Sequence, residues 1–218
     1  MIAKSMRKQD TKQEKIINSF LYDNFFTKVN KTSCLIEDKE LQIAGVDLQM
    51  KNKKDNIVNI DIKAQSSSRY INNPRPTFVL ELSSLNCYQQ PTVGWFLNTS
   101  LVTDYYSFVW INDAVVDENN RIASPDNINE VEIMTVSRKH LKEYMFKLLG
   151  DCDVDDVIED MRNTGDTKRP LAKGVSFSHT PSLFEKPVNL VVHKNILKKF
   201  AISYCRVTQG GIYRIQNE

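Results

Sequence analysis

Glycine and proline are scarce, seven of each in 218 residues. So few glycines exclude solenoids and propellers built on glycine-marked turns. Cys34, Cys87, Cys152 and Cys205 stand far apart, which gives neither zinc-knuckle spacing nor a disulfide framework and reads as reduced cytosolic thiols. No run approaches the roughly 18 apolar residues of a membrane span. Met1 to Asp10 is basic and polar, without the apolar segment of a secretory signal. Neither sign of charge dominates: 29 Lys and Arg against 27 Asp and Glu leave +2, too little for net charge to argue for nucleic acid. There is no phosphate loop, Rossmann glycine pattern or G-x-S-x-G elbow. What is present is 41% hydrophobic residues with 9% aromatics, enough for a sizeable core and too much for a disordered chain. At roughly 150 residues per domain, the expectation is one cytoplasmic α/β domain over 1–218.

Periodicity places the elements. Ile16, Ile17, Phe20, Leu21 and Phe25 recur at helical spacing, so Asp10–Phe26 is predicted as the first helix. Short strands are predicted at Cys34–Ile36, Thr77–Leu82, Tyr105–Ile111, Val131–Val136, Val188–His193 and Ala201–Val207, and helices at Arg138–Leu149 and Asp153–Arg162. Asn195–Phe200 reads as a helical turn. Asp113–Asn129 reads as a surface excursion and Asn163–Lys173 as a loop.

The strongest β-signal is a hairpin: Gln42–Lys51, a polar break Asn52–Asn56, then Ile57–Gln65. Val58, Ile60, Ile62 and Ala64 alternate with Asn59, Asp61, Lys63 and Gln65, so Asp61 and Lys63 share a face. Pairing Met50 with Val58, Leu48 with Ile60 and Val46 with Ile62 buries every apolar residue together. That register sets Asp47 opposite Asp61. A slip by one residue would bury polar side chains, whereas a slip by two would pair Asp47 with Lys63. Like charges opposed across a sheet are destabilising without a counter-charge. Either Lys63 serves as that counter-charge in an ordinary ion pair, or a hard divalent cation sits between the carboxylates. Such an ion can activate water and neutralise a phosphodiester, with the lysine supporting the attack.

Val46-Asp47 followed by Asp61-Ile62-Lys63 resembles the PD-(D/E)xK nuclease superfamily, the restriction-endonuclease-like proteins, with Val46 where the proline usually stands. The resemblance implies a mixed β-sheet flanked by helices, with an α-β-β-β-α-β core over about 10–111 and a C-terminal elaboration over about 112–218. It implies a nuclease hydrolysing DNA phosphodiester bonds with Mg²⁺ or Mn²⁺. Asp47 and Asp61 would be ligands, the main-chain carbonyl of Ile62 another, Glu14 on the first helix an accessory ligand, and Lys63 the residue supporting the attacking water. Gln65 falls where some subfamilies carry a glutamine after the lysine. DNA is the implied partner, with RNA as the variant, no membrane, and a homodimer admitted. The alternative is a non-catalytic nucleic-acid-binding or protein-interaction domain on the same fold.

Other residues invite weaker readings. Glu81 is either a further site-lining acid or a surface glutamate. Arg69, Tyr70 and Arg75 form a polar loop that either meets phosphate and bases or is solvated loop chemistry. The hairpin-tip lysines Lys51, Lys53 and Lys54 are read the same way. Asp151–Asp160 lacks the glycine and closing glutamate of a calcium loop and reads as a solvated helix face. His140, His179 and His193 lack metal-ligand spacing.

Overall fold

The computed structural model describes residues 7–215; the first part of the basic N-terminal stretch, 1–6, lies outside them. The chain is of mixed α/β class and divides into two compact units, each discontinuous in sequence. The larger holds residues 7–75, Val102–Arg138 and 200–215, and the smaller Pro76–Leu101 with Lys139–Lys199. The stretch 10–111 is therefore shared between the units. Among the described residues no helix is long and apolar enough to cross a membrane, and all four cysteines are free thiols.

The larger unit opens with α1 (Arg7–Leu21), which widens into a π turn at Tyr22–Phe26 and ends in a last α-turn, α2 (Thr27–Val29). Its sheet has seven strands in the order β1 (Cys34–Leu35), β2 (Leu48–Lys51), β3 (Ile57–Ala64), β6 (Tyr105–Ala114), β7 (Ile128–Ser137), β11 (Ala201–Thr208) and β12 (Gly211–Arg214). β3 and β6 run parallel, and the other neighbours are antiparallel. One face is apolar: Ile60, Ile62, Val109, Ile111, Val131, Ile133 and Val207 form a core with Ile16, Ile17, Phe20, Leu21, Phe25 and Phe26 of the helix. Side chains alternate along a strand, so Asp61, Lys63 and Tyr106 point to the opposite face.

The smaller unit has a five-stranded antiparallel sheet, β5 (Pro91–Val93), β4 (Thr77–Leu85), β10 (Val188–His193), β9 (Val175–His179) and β8 (Lys168–Ala172). Its helices are α4 (Arg138–Leu149, whose first residue belongs to the larger unit), α5 (Val154–Thr164) and α6 (Lys194–Leu197), which runs into a 3₁₀ turn at Lys198–Phe200. Asp153 caps α5, its carboxylate accepting from Asp155 N at 2.9 Å and Asp156 N at 3.3 Å. Asp160 pairs with Arg169 at 2.6 Å. The acidic run is thus helix-cap and ion-pair chemistry.

Three expectations are corrected. Gln42–Lys51 is not one strand: α3 (Lys39–Ile43) occupies its start, because Asp38 accepts from the amides of Glu40 and Leu41 and nucleates a helical turn. Asn163–Lys173 is not all loop, since it contains β8, an edge strand that tolerates Pro170. The second helix of the α-β-β-β-α-β order has no counterpart: between β3 and β6 the chain forms β4 and β5 instead.

Candidate active site

The hairpin pairs Leu48 with Ile60 and Met50 with Val58 as expected, but the expected pairs Val46–Ile62 and Asp47–Asp61 do not form. The ladder stops at Leu48, one residue short of Asp47. Beyond α3, Gly45 adopts φ +80°, a left-handed turn that suits glycine, and its carbonyl is fixed by Thr103 Oγ1 at 2.6 Å. Buried Val46 follows, and Asp47 enters the sheet at a bulge-like step. Its amide donates to Ile60 O at 2.9 Å, and its carbonyl accepts from Ile36 N at 2.9 Å. On the side where β2 has ended, the Asp47 side chain meets Ile62: Oδ2 accepts from Ile62 N at 2.7 Å.

This draws Asp47 towards Asp61. Asp61 is 2% exposed and accepts from Lys63, Nζ to Oδ1 at 2.9 Å. Its other oxygen, Oδ2, is buried without a hydrogen-bond partner. Burial and the neighbouring Asp61 charge push Asp47 up from the usual 3.8 to about 7, against the pull of Lys63 and the Ile62 amide. A proton on Asp47 would supply the donor that Asp61 Oδ2 lacks. Burial works against the Lys63 charge, but Asp61, then Asp47 and lastly Glu14 outweigh it and hold the ammonium above its usual range. Lys63 is therefore a permanent cation with 28% of its side chain exposed.

The sequence missed two contributors. Tyr106 stands beside Asp61 in the parallel β3–β6 register, and its hydroxyl accepts from Arg138 Nε at 3.2 Å. Burial raises the Tyr106 phenol, Arg138 opposes this, and Asp61 adds to it. Only the three-dimensional register brings residues so far apart in sequence to one place.

Of the residues expected in the site, Asp47, Asp61 and Lys63 gather at one end of β3, with the Ile62 main chain between them. Glu14 is exposed on α1, the helix packed against the opposite face, and it reaches Lys63 through its charge. Gln65 has a different occupation: Oε1 accepts from Arg75 N at 3.0 Å and Nε2 donates to Arg75 O at 3.2 Å. Glu81 belongs to the smaller unit and accepts from Ser84 Oγ at 3.5 Å. His193 caps α6, its Nδ1 accepting from Asn195 N at 3.2 Å. His179 is buried with neither ring nitrogen hydrogen-bonded.

The donor set suits a hard divalent cation. Two carboxylates forced together, one with an unpartnered buried oxygen, are what such an ion neutralises. Among the described residues no group of three or more His, Cys, Asp or Glu side chains gathers. Main-chain oxygen and water would therefore complete the shell, as Mg²⁺ commonly accepts. No protein-family model, no curated protein and no solved structure matches the chain.

Proposed function

We propose that the chain is a metal-dependent nuclease of restriction-endonuclease-like fold that hydrolyses DNA phosphodiester bonds. One observation carries the reading: Asp47 and Asp61 converge where the β2–β3 ladder ends, and Lys63 is held charged beside them. The element order supports it in part, since α1-β1-β2-β3 is followed by β6 parallel to β3. Mg²⁺ or Mn²⁺ would be held by Asp47, Asp61 and the Ile62 carbonyl, and when bound it supplies charge neutralisation and acidified water.

The remaining roles belong to the chain. Lys63 stays protonated at any physiological pH, so it acts as a fixed positive charge that orients water and stabilises a phosphorane, never as a base. Asp61 fixes the direction of that ammonium. A cation would displace the proton that the raised Asp47 carboxyl holds, which makes ion binding release acid. Glu14 adds negative field at Lys63, and Gln65 is held by the main chain of Arg75.

A second reading has its own support. The Asp61–Lys63 pair at 2.9 Å is also how a non-catalytic nucleic-acid-binding or interaction domain would stabilise a buried acid. Incubating the protein with plasmid, linear, branched and single-stranded DNA, and with RNA, in Mg²⁺, Mn²⁺ or chelator separates the two. The nuclease gives metal-dependent cleavage that is lost in Asp47→Ala, Asp61→Ala and Lys63→Ala, with Lys63→Ala still binding metal by calorimetry. Cleavage retained by pure Asp61→Ala, or absent from the wild type on every substrate, refutes the reading.

A further inference from the structure

Residues 66–75, between β3 and the start of the smaller unit, are built with more care than a polar, serine-rich linker needs. The segment leaves the sheet two residues after Lys63. Gln65 closes its far end through both main-chain bonds to Arg75. Midway, Asn72 takes φ +63° and makes three bonds to the end of β6. Its amide donates to Ile111 O at 3.1 Å, its Nδ2 donates to Ala114 O at 2.9 Å, and its Oδ1 accepts from Ala114 N at 2.7 Å. Ile71 is 7% exposed and joins the core of the larger unit. Tyr70 N donates to Ser67 O at 2.8 Å, and Asn73 N donates to Tyr70 O at 3.3 Å. Thus a ten-residue segment, half of it exposed, is anchored in its middle and at its end.

The anchoring presents a particular pair. Arg75 is exposed, and its guanidinium carbon lies 5.3 Å from the centroid of the half-buried Tyr70 ring. Arg69 is exposed on the same segment. An arginine plane backed by an aromatic ring offers its outer face to a third planar group, and unpaired bases stack on such planes. A base-paired duplex hides its base faces, so this surface distinguishes strands by pairing and not by sequence. Successive extended residues span roughly 3.3 Å, which places Gln65, and with it the Arg75 main chain, close to Lys63.

We infer that residues 66–75 are a stacking platform for an unpaired nucleic-acid base, met by Arg75 backed by Tyr70. The substrate of the neighbouring site is then a strand with unpaired bases beside the scissile phosphate. The placement beside a scissile phosphate rests on the nuclease reading; the platform itself does not. The wild-type protein in chelator is titrated with a 2-aminopurine-labelled single-stranded DNA oligonucleotide and with the blunt duplex of the same sequence. Single strand binds at least tenfold more tightly, with quenching of the 2-aminopurine. Arg75→Ala and Tyr70→Ala each weaken single-strand binding about tenfold. Arg75→Lys, which keeps the charge and loses the plane, retains the salt dependence but loses the quenching. Equal affinity for duplex and single strand, or Arg75→Lys behaving as wild type, overturns the inference. If metal-dependent cleavage is absent while the Arg75-dependent quenching persists, the nuclease reading falls and the platform stands.

Discussion

Replacing Asp47 by Asn isolates the electrostatic cost built into the site. The asparagine keeps an oxygen to accept from Ile62 N, now bonded at 2.7 Å, and brings an N–H that can satisfy Asp61 Oδ2, which has no partner. What it removes is one of two facing negative charges. Asp47 ionises at 3.8 in an ordinary setting and at about 7 in the folded chain. The unfolded chain therefore releases this proton first as pH rises, and stability falls through the interval between those values. At about 1.4 kcal/mol per pH unit, the cost reaches about 4 kcal/mol above pH 7. Below about pH 4 it is absent. Denaturant unfolding of both proteins in chelator, from pH 4 to pH 8.5, reads this directly. The two start level at the acid end, and Asp47→Asn becomes the more stable by up to about 4 kcal/mol above pH 7. His179, whose burial lowers its pKa, works in the opposite sense: stability is lost as pH falls below its usual 6.5. It is present in both proteins and cancels in the difference. Adding Mg²⁺ or Mn²⁺ at a hundredfold excess over Kd then raises the wild type by about 2.7 kcal/mol and leaves Asp47→Asn nearly unmoved. A difference that is flat with pH, or an Asp47→Asn less stable than wild type at pH 8, refutes the like-charge contact.

Two further outcomes follow from the geometry. Asp61→Asn loses the carboxylate that holds Lys63 at 2.9 Å but also the charge facing Asp47, whose own carboxylate remains beside Lys63, so in chelator it melts no lower than the wild type. A lower melting temperature with no metal dependence in either protein would make the pair an ordinary structural one and refute the metal site. Gly94→Ala is expected to destabilise by about 1–3 kcal/mol through overpacking, because a Cβ there would stand 2.4 Å from Glu81 O; unchanged denaturant unfolding would show that β4 gives way.

Much of the hairpin was legible because a period of two with one buried face excludes any slip by a single residue. Leu48 and Ile60 could be paired from the residues alone, as the structure has them. The helix Arg138–Leu149 was legible for the same reason at a different period. What escaped the sequence lay where a local signal was overruled or masked. Leu41 and Ile43 fit a strand as well as a turn of helix, and the Asp38 cap decides between them. β8 is an edge strand carrying Lys168, Arg169 and Pro170, which reads as loop, and β12 starts on a glycine pair that reads as a turn. Asp47, Asp61 and Lys63 were visible as a cluster because two adjacent strands supply all three. Tyr106 and Arg138 were not, since their place depends on a parallel pairing across some forty intervening residues. Gln65 was read as a site residue by its position in the string, yet its amide matches a main-chain partner ten residues on.

The interleaving of the two units also bears on how the chain is made. Every strand and all but the first residue of the helices of the smaller unit lie between Pro76 and Lys199, whereas the larger unit needs β11 and β12, which begin only at Ala201. As the polypeptide leaves the ribosome, the unit that starts later is complete first. Meanwhile β7 waits with one edge paired to β6 and the other bare, displaying the main chain of Val131, Ile133 and Met134. An open, apolar strand edge is a template for pairing with another nascent chain. A released chain truncated near Phe200 therefore has the whole of the smaller unit and an open edge on the larger one, the form for which a chaperone or a protease would compete.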